Sequence, residues 1–319
     1  MNVKIADILR TSGKTLISFE ILPPLKGETI DTIYRALDPL MEFNPPYVNV
    51  TYHRKEVVYK TVSNNLVERK LMRKRPGTVA ISVAIMVKYK VIVVPHLICG
   101  SFTREETEDA LIDLHFLGIN NVLAVRGDPQ KGSKVFVPEE GGHAHALDLV
   151  KQIMDMNRGR YVDKDLVNVF PTNFSVGVAG YPEKHPEAPN MDSDIYFLKQ
   201  KIEAGAEFIV TQMFFDNSSY FSFVERCRRE GIEVPIIPGL KPVSNRNHLN
   251  YLPKTFGIDL PEELVREVLK CKDNDAIQQV GIEWTVAQSR ELIRAGVPVL
   301  HYYTVGKSEN IRKIAEAVF

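Results

Sequence analysis

Cysteine is scarce, and what there is forms no pattern. Cys99, Cys227 and Cys271 are odd in number and far apart, and no CxxC pair occurs. That excludes a disulfide framework or a zinc ribbon and points to reduced thiols. Net charge is missing as well. Forty basic residues balance forty acidic ones, so no overall field draws the chain to nucleic acid or to an anionic membrane. No apolar stretch reaches the roughly 18 residues of a membrane helix. The opening segment, Met1–Arg10, is amphipathic and lacks the apolar core of a secretory signal. A soluble, cytoplasmic protein is expected. No apolar run is followed by GxGxxG or GxxxxGK, which argues against an open doubly wound nucleotide-binding sheet. His143 and His145 form an HxH pair at the end of a glycine-bearing loop, without companion ligands on a strand, and no metal is expected.

What is present is a regular alternation. Eight apolar, mostly β-branched runs recur: Leu16–Glu20, Tyr47–Tyr52, Val91–Ile98, Val122–Val125, Phe174–Gly180, Phe208–Phe215, Val234–Pro238 and Val297–Tyr303. Segments with apolar residues at helical spacing separate them, at Thr29–Phe43, Glu105–Leu117, His145–Met156, Ser193–Ala204, Ser218–Arg229 and Asp275–Ala295. Parallel neighbours need crossover helices. Eight such units within 319 residues, with no composition break, predict a single-domain, eight-stranded parallel (β/α) TIM barrel over residues 1–319. Val79–Tyr89 is apolar enough for a strand, but the barrel requires a helix there. The basic run Glu68–Arg75 reads as a solvated helix end.

In such barrels ligands bind where strands end, and here the strand ends carry chemistry. Val122–Val125 runs into Arg126, a forked cation, Gly127, which allows close backbone approach, and Asp128, a carboxylate. The first run ends on Glu20 among apolar neighbours, just before Pro23 and Pro24. Desolvation there would disfavour its ionised form and suit a general acid. Tyr181 and His185 are pinned among prolines, Gln212 offers donor and acceptor together, and Phe214 and Phe215 read as half core, half platform for a flat ring. Polar loops at Gln130–Gly142 and Pro182–Asp192 follow two of the strands. Together these suit a planar heterocyclic cofactor and a polar heterocyclic substrate.

The ordered set Ser18-Phe19-Glu20, Val50-Thr51-Tyr52, Pro95-His96-Leu97, Val125-Arg126-Gly127-Asp128, Tyr181-Pro182-Glu183, His185-Pro186-Glu187, Thr211-Gln212, Phe214-Phe215-Asp216 and Ile237-Pro238-Gly239 resembles the methylenetetrahydrofolate reductase family over nearly the whole chain. The resemblance implies FAD on the barrel, reduced by NADH or NADPH. The flavin in turn reduces methylenetetrahydrofolate to methyltetrahydrofolate, in the one-carbon metabolism that supplies methyl groups for methionine. A homo-oligomer is also expected. By the same resemblance Glu20 matches the general acid that opens the folate imidazolidine ring to an iminium, and Asp128 the carboxylate near flavin and pterin. Thr51, Tyr52, His96, Arg126, Gly127, Asp128, Tyr181, His185, Ala188, Asp194 and Lys201 match flavin-binding positions, Lys201 as a phosphate partner. Gln212 and Lys307 match folate-contacting positions.

Two stretches depart from the family pattern. Tyr52-His53-Arg54-Lys55-Glu56 stands where a Gly/Ala-rich loop is usual, and Lys307 stands where an arginine is common. The chain ends soon after the eighth run, so the long regulatory domain of eukaryotic members, with its control by adenosylmethionine, is not expected. Two other readings compete. A flavin-free barrel such as an aldolase needs a lysine at a strand end, and none of the eight runs ends on one. A barrel kept as the partner subunit of another redox protein would not require Glu20, Asp128 and Gln212.

Overall fold

The computed structural model describes residues 3–63, 66–130, 133, 135–304 and 308–319. The first half of the chain forms α1 (Ile5–Thr11), β1 (Leu16–Ile21), α2 (Asp31–Met41), β2 (Tyr47–Val50), β3 (Glu56–Ser63), β4 (Leu66–Met72), α3 (Thr78–Tyr89), β5 (Ile92–Ile98), α4 (Arg104–Phe116), β6 (Asn121–Val125) and α5 (Ala146–Met156). The second half forms β7 (Ser175–Gly180), α6 (Met191–Glu203), β8 (Phe208–Met213), α7 (Asn217–Arg229), β9 (Ile236–Leu240), α8 (His248–Phe256), α9 (Glu262–Lys270), α10 (Asn274–Arg294), β10 (Val299–Tyr303) and α11 (Glu309–Val318). Eight strands close into one barrel in the order β1-β10-β9-β8-β7-β6-β5-β2, every pair parallel. This is the expected TIM barrel. Val79–Tyr89 is helical, as the crossover before β5 demands.

Two things hold the barrel. Outward strand residues such as Phe19, Val48, Val93, Val176 and Leu300 pack against helix residues such as Leu37, Leu40, Leu111, Ile153 and Ile314 in one large core. Inside, Tyr47, Val94, Leu123, Phe208, Val210, Ile237 and Val299 fill the N-terminal end, and Ile5 and Leu9 of α1 close it from below. Asn121 fixes that plug: its side chain accepts from the Ile5 backbone N–H at 2.8 Å and donates to the Val3 carbonyl at 2.9 Å. Gly177 is required by the same packing, because an added Cβ would lie 2.2 Å from the Phe208 ring. With apolar filling and a helical plug at one end, only the C-terminal mouth is free to carry polar chemistry.

The basic run Glu68–Arg75, expected as a solvated helix end, is instead mostly strand β4, paired antiparallel with β3 in the register Val57↔Leu71, Tyr59↔Arg69 and Thr61↔Val67. The physical reason is the period. Alternate residues Val57, Tyr59, Thr61, Val67 and Leu71 share one face, and β-branched and aromatic side chains favour strand. Residues 248–270, given no element from their spacing, hold α8 and α9. Among the described residues no helix is long and apolar enough to cross a membrane.

Candidate active site

Side chains alternate along a strand, so the interior positions above the plug can be read from it. Asn49 follows Tyr47, His96 follows Val94, and His301 and Tyr303 follow Val299. Ser18 and Glu20 enter from β1, whose partner register is Ser18↔His301 and Glu20↔Tyr303. These groups meet. The Glu20 Oε2 atom lies 3.5 Å from His96 Nε2 and 3.9 Å from His301 Nε2. Asn49 Nδ2 sits 3.3 Å from His96 Nε2, and Ser18 Oγ 2.8 Å from His301 Nδ1.

The charge state of Glu20 differs from the expectation. Burial pushes its carboxyl up, but the His301 imidazole 3.9 Å away and the charges of His96 and His53 together bring it below the ordinary glutamate value. The apolar neighbours seen in the sequence, Phe19 and Ile21, point outward into the helix-facing core. Glu20 itself points inward among polar groups. Burial drives His96 down to about 4, so at neutral pH it is a neutral imidazole. Its Nε2 can then accept from Asn49 and could accept from a protonated Glu20.

A second group lines the mouth over β6, β7 and α6. Arg126 holds Glu187 with both prongs, at 2.5 and 2.8 Å, which keeps the Glu187 carboxyl low. The Arg126 and Arg54 guanidinium carbons lie 4.9 and 5.5 Å from the centre of the Phe136 ring. Arg54 also donates to the Asp128 carbonyl at 2.9 Å. Gly127 between them takes φ +82, where other residues are strained, and an added Cβ would press on Ile98 at 3.3 Å. Asp128 is exposed, and its charge reaches His53 and Tyr181. Tyr181 packs edge-on to His185 at 4.7 Å, the His185 N–H donates to Asp194 at 2.7 Å, and Lys201 donates to the Ala179 carbonyl at 3.2 Å. Lys184 donates to the Ala188 carbonyl at 2.6 Å.

Not every expected residue joins these groups. Thr51 faces the mouth and pairs with His53 at 3.1 Å. Tyr52 turns the other way, 5.0 Å from Phe102 and 5.4 Å from the Arg73 guanidinium. Phe214 and Phe215 are 0% and 1% exposed, and Phe214 stacks on Tyr220, so neither is a platform. Both point outward because β8 shifts register between Val210 and Met213. That shift leaves Gln212 half-buried, its Oε1 accepting from its own neighbour's N–H at 3.0 Å. Asp216 serves as the N-cap of α7. Lys307 lies outside the described residues.

One residue was missed. The seventh run was expected to end at Pro238, but β9 continues to Leu240, in the register Tyr302↔Leu240. This puts Lys241 at a strand end, where the aldolase comparison had found no lysine. The signal available was Pro242, the next proline after Pro238 able to stop the strand that opens with the β-branched Ile236-Ile237.

An eight-stranded parallel barrel with a carboxylate, histidines and amide groups gathered at its C-terminal mouth defines the class: a (β/α) barrel built to hold a polar ligand there. The profile of the methylenetetrahydrofolate reductase family matches residues 4–318. The chain is 32% identical over 313 residues to the 5,10-methylenetetrahydrofolate reductase of Salmonella typhimurium, covering 97% of this chain and 91% of that one. It is 33% identical over 316 residues to methylenetetrahydrofolate reductase (NADH) 1 of Arabidopsis thaliana, covering 95% of this chain and 48% of that one. The chain thus spans about half the length of the plant relative it matches. It belongs to the methylenetetrahydrofolate reductase family. A solved structure described as an uncharacterized protein from Clostridium thermocellum that binds two copies of 5-methyl-5,6,7,8-tetrahydrofolic acid shares the fold, at TM-score 0.57 and 15% identity over 99% of this chain and 98% of that one.

Proposed function

We propose that the protein reduces methylenetetrahydrofolate to methyltetrahydrofolate with FAD as its cofactor and NADH or NADPH as donor. The observation that carries this reading is Glu20, fixed at the centre of the mouth by His96 and His301 in a chain of this family. The folate named for the Clostridium neighbour supports the substrate class. Relatives are named for NADH in plants and for NADPH in Caenorhabditis elegans, and both donors are kept.

The mouth fits a flavin dinucleotide. Buried polar atoms there lack a protein partner: Asn49 Oδ1, Arg54 Nε and Nη2, Arg126 Nε and His301 Nε2. The buried guanidinium N–H groups need acceptors, which phosphates, ribityl hydroxyls and a ring dicarbonyl edge supply, and Asn49 Oδ1 needs a donor such as a ring N–H or a ribityl hydroxyl. Thr51, His96, Arg126, Gly127, Asp128, Tyr181, His185, Ala188, Asp194 and Lys201 would hold the cofactor, with Lys201 toward its phosphates. Tyr52 contributes only by bracing the loop. FAD supplies a hydride acceptor and donor that nicotinamide and folate can use in turn.

The protein's own part lies in protons and charge. Glu20 is ionised in the free site, so it must gain a proton before it can act as an acid. A folate over the mouth strips water from the carboxylate and raises its proton affinity. The proton then passes to the folate nitrogen that leaves the methylene carbon, and an iminium remains. Asp128 offers that cation a counter-charge, and Gln212 presents an amide to the pterin edge. The product is a methyl carrier of the kind methionine synthesis consumes. Mass spectrometry of the ligand released by heat tests the cofactor: FAD is expected, and FMN, or no uptake on flavin reconstitution, contradicts it.

A further inference from the structure

We infer that Lys241 is a substrate-holding residue, whose ammonium donates to a carbonyl oxygen of the folate heterocycle at the level of Glu20. The inference rests on the folate reading above. Three features of the fold lead to it. Ile237 lies inside the barrel against the α1 plug, so Gly239 and Lys241 follow it on the inner face. The registers Tyr302↔Leu240 and Glu20↔Tyr303 set Lys241 one residue beyond Leu240, on the layer that holds Glu20. The side chain is half-buried, and Glu20 is the charged group that acts on it. A half-buried ammonium has three donors to satisfy. A heterocycle that covers the mouth would desolvate it further, so the ligand must bring an acceptor. The glutamate tail of a folate has to leave toward solvent, whereas Lys241 sits beside the acid that acts on the reacting ring. The acceptor is therefore a ring carbonyl.

The site also fixes how this contact depends on pH. The charged group acting on Lys241 is Glu20 on β1. Glu20 is itself surrounded by His96 on β5, His301 on β10 and His53 beyond β2, and Tyr303 on β10 lies in the field of Glu20, Tyr181 and Tyr47. Burial moves His96 and His53 down and Tyr303, Tyr181 and Tyr47 up, while Glu20 stays below its usual value. Burial pushes Lys241 down to about 8. Burial also pushes Lys201, which donates to the Ala179 carbonyl, down to about 8 against the opposing charge of Asp194. Above that pH Lys241 loses its charge and the contact weakens.

The test is the dissociation constant of 5-methyltetrahydrofolate for the flavin-loaded protein, measured calorimetrically between about pH 6.5 and 9.5. The natural protein, K241M and K241R are compared. Binding by the natural protein should weaken above about pH 8. K241M should bind on the order of ten- to a hundredfold more weakly at neutral pH and lose that alkaline limb. K241R should bind near normally and also lose the limb, because a guanidinium stays charged. If K241M binds as tightly as the natural protein, or if both variants keep the limb, Lys241 has no such role and the titration belongs to Lys201. Should K241M not fold, a natural protein without the limb, or K241R with it, overturns the inference equally. A natural protein that binds no methyltetrahydrofolate at any pH contradicts the proposed function itself.

Discussion

Glu20 shows how far one residue could be read in advance. Its position at a strand end and its match to a family acid were visible in the sequence. Its ionisation was not, because the histidines that lower it lie at positions 96 and 301, on other strands. Glu20→Gln keeps size and polarity but cannot deliver a proton. Folate turnover should fall by about 10²- to 10⁴-fold, with reduction by the nicotinamide donor slowed far less, as stopped-flow measurement of the two half-reactions would record. Equal collapse of both would make Glu20 structural. His96 gives a stability prediction. Its folded-state value is depressed to about 4, so the unfolded chain takes up a proton first as pH falls. The stability tied to a neutral His96 is complete above about pH 6.5 and is lost progressively down to about pH 4, to the extent of roughly 3 kcal/mol. Urea titrations of the natural protein and His96→Gln across that range should show a flatter slope for the variant; parallel slopes would contradict the assignment.

Elements were legible where one period ran long enough to dominate. The helix at Arg104–Phe116 was marked by Thr103 and the acidic turn after it, and the two residues form a reciprocal capping box: the Thr103 hydroxyl accepts from the Glu106 N–H at 3.1 Å and Glu106 accepts from the Thr103 N–H at 2.8 Å. Thr103→Ala should cost about 1 kcal/mol of unfolding free energy, measured by urea titration, and a change within error would show that the cap contributes nothing. The β3–β4 pair was misread because the charges of Glu68–Arg75 masked the alternation of Val57, Tyr59, Val67 and Leu71, which only the pairing of the two strands reveals. Lys241 escaped for a related reason. Strand β9 ends in Pro238, Gly239 and Leu240, residues with little strand preference, and neighbours on β8 and β10 extend it. The platform assigned to Phe214 and Phe215 failed because a register shift in β8, invisible to a strict period of two, sends both into the helical layer.

At the scale of the molecule, the alternation of apolar runs and helical segments was enough to specify a barrel, because a parallel sheet of eight strands with short crossovers closes most simply on itself. Closure then determines the rest. It buries Phe208, Val210 and Val299 at one end and leaves Asn49, His96 and His301 facing a common axis at the other. Residues more than 280 positions apart, Ser18 and His301 among them, become neighbours. By the function proposed above, this mouth passes electrons from a nicotinamide donor to a folate through a bound flavin. The most direct test is anaerobic absorbance of the purified, flavin-loaded protein, mixed first with NADH or NADPH and then with methylenetetrahydrofolate. The flavin band should bleach with at least one donor and return on addition of the folate, with methyltetrahydrofolate formed in equal amount. A band that neither donor bleaches, or that bleaches and is not restored by methylenetetrahydrofolate, would contradict it.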